Sequence, residues 1–513
     1  MSPDPIAVDA LLMRAEWNDD DVAAAGVEIV DVPFVTVGGG MGSFTMVDTL
    51  RVAGVSTDQI AVLSDLDTPS ATYEYLATNS QIPRGERLRS DSGSVMDNVW
   101  GWPGYALREA VADKRVQPAW QAMSEPIFAE YFTPRAGQVY ESVGREAARI
   151  DWGSMLRPGV VRTARRRAGR GGGYFVLHTP AGQGESSAGQ PARRVAYRCQ
   201  HAHIAVGYPG VKMLPDLQAY REQHQDWARV VNAYEPHNHV YEECLRRPCT
   251  VVIRGSGIVA SRVLQRIIDD RDNSGAQTRI IHLFRSYPDG PQGDSIFFRR
   301  PAKKGWAYQA FNYPKAAWGG QLRDRLDQLE GSDRAALLDE MGGTNTAPRR
   351  DWQEQLERGA RDGFYRQLRG TVSDVEPVAG QAEIRTMVRP PDGGTLTFDA
   401  DFIVDATGLE ADIEEHRVLA DLLDHAGARK NPKGRLDVER DFIVRGTDSG
   451  NGRLYASGSI TLGGYYAGVD SFLGLQYAAL RIADSLAAHG FGKRIGPLRS
   501  LSQWWRWARN RPI

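Results

Sequence analysis

Short apolar, β-branched runs recur along the chain, and several end directly in glycine. Pro33-Phe34-Val35-Thr36-Val37 precedes Gly38, Thr250-Val251-Val252-Ile253-Arg254 precedes Gly255, and Phe402-Ile403-Val404 runs into Asp405-Ala406-Thr407-Gly408. Runs of this length without polar alternation predict strands covered on both faces, as in a parallel sheet. A helix-like segment, Phe44 to Ala53, follows the first run, and a second strand, Ile60-Ala61-Val62-Leu63, comes after it. The pattern repeats after the second run: Ser261 to Ile268 carries apolar residues at helical spacing, and Arg279 to Phe284 reads as the next strand. Strand, glycine turn, helix and strand, twice over, predict an α/β chain with two Rossmann-like nucleotide-binding domains.

The glycine turns supply the first candidate chemistry. In Gly38-Gly39-Gly40-Met41-Gly42-Ser43, Gly38 allows the tight turn and Gly40 lets the backbone approach a pyrophosphate, with Gly42 inside the fingerprint. Ser43 stands where a third small residue lets helix and strand pack closely. Asp65, at the end of the next strand, lies where an acid accepts hydrogen bonds from an adenosine ribose, so FAD is the expected ligand; an ordinary loop acid is the other reading. The second fingerprint, Gly255-Ser256-Gly257-Ile258-Val259-Ala260, is followed by a strand ending in Arg285 rather than in an acid. A guanidinium there takes a 2′-phosphate through paired hydrogen bonds, favouring NADPH; a solvated arginine closing a strand is the alternative. Two dinucleotides in one chain point to FAD plus NAD(P)H.

The remaining pattern gives the organisation. Residues 27–210 and 399–490 read as a split FAD-binding domain with the NAD(P)H-binding domain, residues 211–398, inserted into it. The first part holds a β-meander around Val160 to Cys199, interrupted by a Gly/Ser-rich surface loop. The inserted domain carries a charged helical insertion at 321–369, and residues 491–513 form a basic aromatic tail. Composition adds exclusions: at 513 residues and 42% hydrophobic content the chain can bury two or more cores, and a net charge of −2 sets up no global field for nucleic acid. Cys199, Cys244 and Cys249 show neither C-x-x-C nor zinc spacing, so no metal, disulfide framework or redox dithiol is expected. No apolar stretch reaches spanning length and the start lacks the features of a signal peptide, so the expectation is a soluble cytoplasmic protein with no transmembrane segment.

Three further segments complete an order of motifs. Phe402 to Gly408 resembles the strand by which two-nucleotide flavoproteins return from the NAD(P)H domain to the FAD domain, with Thr407 and Gly408 at its end, and Ile204 to Gly210 resembles the outward crossing. Leu454 to Gly458, then Gly468-Val469-Asp470-Ser471 and the apolar helix Phe472 to Leu486, resemble the last FAD motif, where a helix N-terminus faces the flavin. The usual Gly-Asp of that motif is Gly458-Ser459 here. The chain therefore resembles the two-dinucleotide-binding-domain flavoproteins, and within them the class B flavin-dependent monooxygenases. Trp100-Gly101-Trp102-Pro103-Gly104 looks like the segment crossing near the flavin, and Tyr234 to Tyr241, with His237 and His239, stands at the place of the family's linker.

The resemblance implies an NADPH-dependent monooxygenase acting on a small-molecule substrate with O2 through a C4a-peroxyflavin. Arg285 and Arg299 are candidates for a cation near the reacting centre, and Asp470 is a site candidate or a helix cap. Two other functions remain: an NADPH-dependent flavin reductase serving a quinone or protein acceptor, and a nucleotide-binding regulator without turnover. Two segments fall outside the scheme. Asn79 to Ser94, with Arg84, Arg87 and Arg89, reads as a solvated loop or an anion site. The tail, with Trp504, Trp505 and Trp507 among arginines, reads as a partner or membrane-surface contact, or as packing against a neighbouring domain.

Overall fold

The computed structural model describes residues 5–88, 104–128, 132–182, 193–285, 321–341, 350–410 and 412–513. Two parallel sheets organise it. The elements that position the site are, in chain order, β1 (Phe34–Val37), α1 (Met41–Val52), β2 (Ile60–Ser64), β3 (His201–Ile204), β4 (Cys249–Arg254), α2 (Ile258–Ser274), β5 (Thr278–Phe284), β6 (Phe402–Asp405), β7 (Arg453–Ala456) and α3 (Phe472–Ala488), followed by the terminal α4 (Pro497–Ala508).

The first sheet runs β7-β3-β1-β2 in parallel and continues through an antiparallel meander, Leu156–Arg167, Tyr174–Pro180 and Val195–Cys199, to Glu28–Asp31. Every residue of β1, β2 and β3 is buried, as a central parallel strand requires. The second sheet is five parallel strands in the order Val230–Asn232, β6, β4, β5, Tyr365–Arg369. A three-stranded antiparallel sheet, Thr371–Pro377, Ile384–Arg389 and Leu396–Ala400, stands beside it.

Two boundaries differ from the sequence expectation. The sequence pattern puts 399–490 in the FAD part from its first residue, but β6 pairs with β4 and with Val230–Asn232, so the chain leaves the second sheet only after Asp405. The helical insertion expected at 321–369 ends at Arg361, because Tyr365–Arg369 is an edge strand paired with β5. Its helices Gln321–Gln328 and Gly331–Met341 pack on the first sheet's core through Leu326 and Leu337. Tyr465 seals that contact: its hydroxyl donates to Glu330 at 2.9 Å, and the guanidiniums of Arg334 and Arg440 lie over its ring.

Candidate nucleotide-binding site

Both glycine turns open into one cavity of about 1830 Å³, lined from Gly38 to Gly42 and from Gly255 to Val259. A single small ligand needs roughly 300–1,000 Å³, so the space suits more than one. Gly38 adopts φ +99°, and a Cβ there would stand 2.5 Å from the carbonyl oxygen of Ala205, just past β3. Gly255 repeats this with φ +126° and 2.5 Å to the carbonyl of Ala406, just past β6. Gly40 and Gly257 are the N-caps of α1 and α2, and no side chain caps either helix. Each uncapped N-terminus turns amide donors and the positive end of a helix dipole toward the cavity. The space beyond Gly40 is open to 4 Å, room for a ligand to lie against the backbone.

The crossings complete the walls. Gly210–Val211 and Leu409–Glu410 pair antiparallel, so the outward and return segments form one ribbon. The buried Asp405 carboxylate clasps both: Oδ2 accepts from the amide of Leu214 at 2.6 Å, and Oδ1 accepts from the Thr407 hydroxyl at 2.6 Å. Burial nonetheless raises this carboxyl above the ordinary range. Asp470 opens on the cavity before α3 and accepts a hydrogen bond from the Tyr208 hydroxyl at 2.8 Å. Its side chain is accessible from the cavity, yet the protein gathered around it raises its carboxyl above the ordinary range by desolvation. Ser471, not Asp470, caps α3, accepting from the amide of Gly474 at 3.1 Å, so the cap reading of Asp470 falls. Ser459, which replaces the usual aspartate, borders the cavity with a buried hydroxyl that has no partner among the described residues.

Behind each turn stands a buried histidine. Thr36 donates to Ser43 at 2.9 Å, which leaves His203 Nδ1 to donate to Thr36 at 3.0 Å and Nε2 to accept from Ser457 at 2.9 Å. In the second fold His282 Nε2 donates to the Gly255 carbonyl at 2.6 Å, so Nδ1 accepts from the Tyr365 hydroxyl at 2.9 Å. Desolvation holds both rings neutral, with His203 pushed down to about 3 and His282 to about 4.

Eleven sequence candidates line the one cavity: Gly38, Gly40, Gly42, Asp65, Gly255, Gly257, Arg285, Thr407, Gly408, Gly458 and Asp470. Ser43 and Ala260 are fully buried behind its wall, where small size serves packing. Trp100 and Arg299 lie outside the described residues. Arg84 is paired with Glu74 and Arg87 with Glu109, so neither is a free anion ligand. His237 bonds Glu235 and Tyr241 and His239 the carbonyl of Ala228; both brace the linker away from the cavity. The three cysteines are buried thiols outside the cavity wall.

Sequence reasoning missed Gly39: a Cβ there would meet Ser64 Oγ at 2.4 Å, a contact no local pattern announces. It also missed the Arg254–Asp216 pair at the mouth of the second turn, and the Lys433–Asp339 pair that brings the helical insertion to the rim. Among the described residues no group of His, Cys, Asp and Glu has a metal-binding arrangement, and no helix is long and apolar enough to cross a membrane.

No protein-family model matches the chain, and no curated protein is similar to it in sequence. Solved structures share its fold. Ornithine hydroxylase from Pseudomonas aeruginosa superposes with a TM-score of 0.61 at 17% identity, covering 90% of this chain and 100% of that one. The ornithine N-hydroxylase of Kutzneria sp. 744, solved with reduced FAD, NADP⁺ and L-ornithine, gives 0.62 at 14% identity, with 90% and 100% covered. The FAD-bound cadaverine monooxygenase of Erwinia amylovora gives 0.62 at 14%, with 91% and 96% covered. The chain thus has the two-nucleotide flavoprotein fold that its motif order implies.

Proposed function

We propose that this chain is an FAD- and NADPH-dependent monooxygenase that hydroxylates a small organic amine. The observation that carries the reading is the pair of uncapped helix N-termini behind glycine turns, aimed into one cavity. The residues present fit both cofactors. Gly38, Gly40 and the α1 terminus suit the FAD pyrophosphate, Asp65 its adenosine ribose, and the orphan hydroxyl of Ser459 a ribityl or phosphate oxygen. Gly255, Gly257 and the α2 terminus suit the NADPH pyrophosphate, with Arg285 at the strand end for the 2′-phosphate. Bound there, FAD with NADPH and O2 supplies the oxygen transfer.

The chain's own part is binding, orientation and exclusion of water. A protonated amine must lose its proton before its nitrogen can accept oxygen. Asp470 offers a carboxylate facing the cavity, steadied by Tyr208, to receive it. The amine class is supported by fold neighbours that act on ornithine and cadaverine. Three unpaired thiols fit a reducing, cytoplasmic setting.

The test is to purify the protein, identify extracted flavin, and follow NADPH oxidation, O2 uptake and hydroxylamine formation with a panel of diamines and diamino acids. The expected result is bound FAD and hydroxylamine formed one-for-one with NADPH for at least one amine. Flavin reduced by NADPH with hydrogen peroxide as the sole oxygen product throughout would replace this reading with a reductase. No flavin binding would replace it with a regulator.

A further inference from the structure

The terminal helix α4 is docked by one face and presents its apolar stripe outward. Arg499 Nε donates to the carbonyl of Val52 at 2.6 Å, with its guanidinium seated over Gly54, where a Cβ would meet it at 2.3 Å. Gln503, one turn on, is buried beside it, and Trp507 on the same face is half-buried. Beyond the helix, Ile513 packs against the first core and donates its amide to the carbonyl of Arg149. The helix is therefore fixed at both ends rather than trailing.

The opposite face carries Leu498, Leu501 and Trp505, which are 85%, 64% and 50% exposed. Spacings of three and four residues place them in one stripe, continued by the exposed Ala508. An ordinary surface helix turns such a stripe inward. Along the tail the charge has one sign: from Ser485 to Ile513 the sequence has no acid but contains Lys493, Arg494, Arg499, Arg506, Arg509 and Arg511, of which Arg494 is paired with the preceding Asp484 at 3.6 Å. All of these except the docked Arg499 are exposed, and Arg509 lies over the Trp505 ring at 4.2 Å. In a chain of net charge −2 this is a strong local excess. A second copy docking here by a two-fold axis would bring two such cationic sets together. The occupant must be anionic and must also take up Leu and Trp side chains.

We infer that α4 is a membrane-surface anchor, seating Leu498, Leu501 and Trp505 in the interface of an anionic lipid leaflet while the surrounding cations hold its headgroups. Tryptophan with one apolar and one polar edge suits that depth, and the basic rim matches anionic headgroups. The chain would then work at the membrane surface, with no helix long and apolar enough to cross it among the described residues.

The test uses the full-length protein with vesicles of phosphatidylcholine alone and of phosphatidylcholine with a third phosphatidylglycerol, read by co-sedimentation. Wild type should pellet with the anionic vesicles and stay in the supernatant with the neutral ones. Leu501→Glu/Trp505→Glu and Arg506→Glu/Arg509→Glu should each lower partitioning by about tenfold or more, with unfolding temperature unchanged because these side chains face solvent. Wild type left in the supernatant with anionic vesicles overturns the inference. So do variants that pellet as wild type does, and so does binding of an acidic polypeptide such as polyglutamate without vesicle binding, which would make the partner a protein.

Discussion

At Gly38 and at Gly255 the chain builds the same turn twice. Each glycine amide donates to a leucine carbonyl at 3.0 Å, Leu63 in one fold and Leu283 in the other, and each crossing alanine donates back to the strand before the turn, at 2.9 Å from Ala205 and 2.8 Å from Ala406. Beyond this shared backbone the two regions diverge. The first turn is held by side chains: the chain of hydroxyls and imidazole from Ser43 through Thr36 and His203 reaches Ser457, so α1, β1, β3 and the segment after β7 behave as one piece. The second is held by one imidazole on one carbonyl, and its third small position is the plain Ala260. The difference teaches that backbone geometry prepares a turn for a nucleotide, while side chains decide what else moves with it. The first turn is tied to the C-terminal motif that completes its site, whereas the imidazole behind the second reaches only Tyr365 of its own sheet, and α2 is joined to the first body separately, through Arg262 on the Gln81 carbonyl.

The sharpest way to break this comparison is at the shared backbone. Gly38→Ala and Gly255→Ala each put a Cβ into a carbonyl at a left-handed φ, and each should cost about 3 kcal/mol in urea unfolding. Only Gly38→Ala should also lose flavin during purification. Equal flavin retention in both variants would contradict the assignment of the first turn. Next come the braces. His203→Ala leaves the buried Ser457 hydroxyl without its acceptor and takes one of two partners from Thr36, and should cost about 2.5 kcal/mol, against about 1.5 kcal/mol for His282→Ala; differential scanning calorimetry ranks them, and a reversed order would deny the first network its reach.

Acid sharpens the same contrast. In the unfolded chain a histidine titrates near 6.5, whereas these rings stay neutral in the fold down to about 3 for His203 and about 4 for His282. The unfolded state therefore binds protons first as pH drops. Stability from each site is complete above about 6.5 and declines below it by about 1.4 kcal/mol per pH unit until the folded value is reached. His178 and His201, also lowered by burial, add to the first sheet, so flavin release should precede opening of the second sheet in a hydrogen-exchange series from pH 7 to pH 5. Loss of protection in β4 and β5 before β1 and β3 would reverse the comparison. The smallest effect concerns the strand ends, where Arg285 holds in the second fold the place that Asp65 holds in the first. Arg285→Ala should raise KM for NADPH by about fivefold, close to 1 kcal/mol, and leave KM for NADH unchanged in steady-state assays.

What the sequence disclosed follows the range of the interactions. The strands β1, β2, β4 and β6 were legible because burial on both faces leaves a nearly unbroken apolar run, β5 because it follows the second turn and helix, and both glycine turns because their geometry is set within six residues. The sheet that owns β6 was not legible: membership depends on pairing with β4, about 150 residues away, and the run looks the same in either sheet. Tyr365–Arg369, an edge strand with Arg366 and Arg369 exposed, reads from sequence as a continuation of the charged helices before it. Gly39, the Ser43–Thr36–His203–Ser457 chain and the Asp470–Tyr208 bond each depend on partners brought together only by folding. Of the site, the backbone cradle could be read in advance and the side-chain braces could not.

The paired crossings have a mechanical consequence. One peptide strand between two bodies lets them swivel, but Gly210–Val211 and Leu409–Glu410 form a two-ply strap, pinned at one end by Asp405. Such a strap resists twist and shear and yields most easily by bending across its width. Gly207 and Gly408, both at positive φ with open space at the Cβ position, put one pliable residue on each ply. Beside the strap the two bodies are clamped again, by Arg262 on the Gln81 carbonyl and by Leu326 and Leu337 in the first core, so a bend at these glycines must carry those contacts with it.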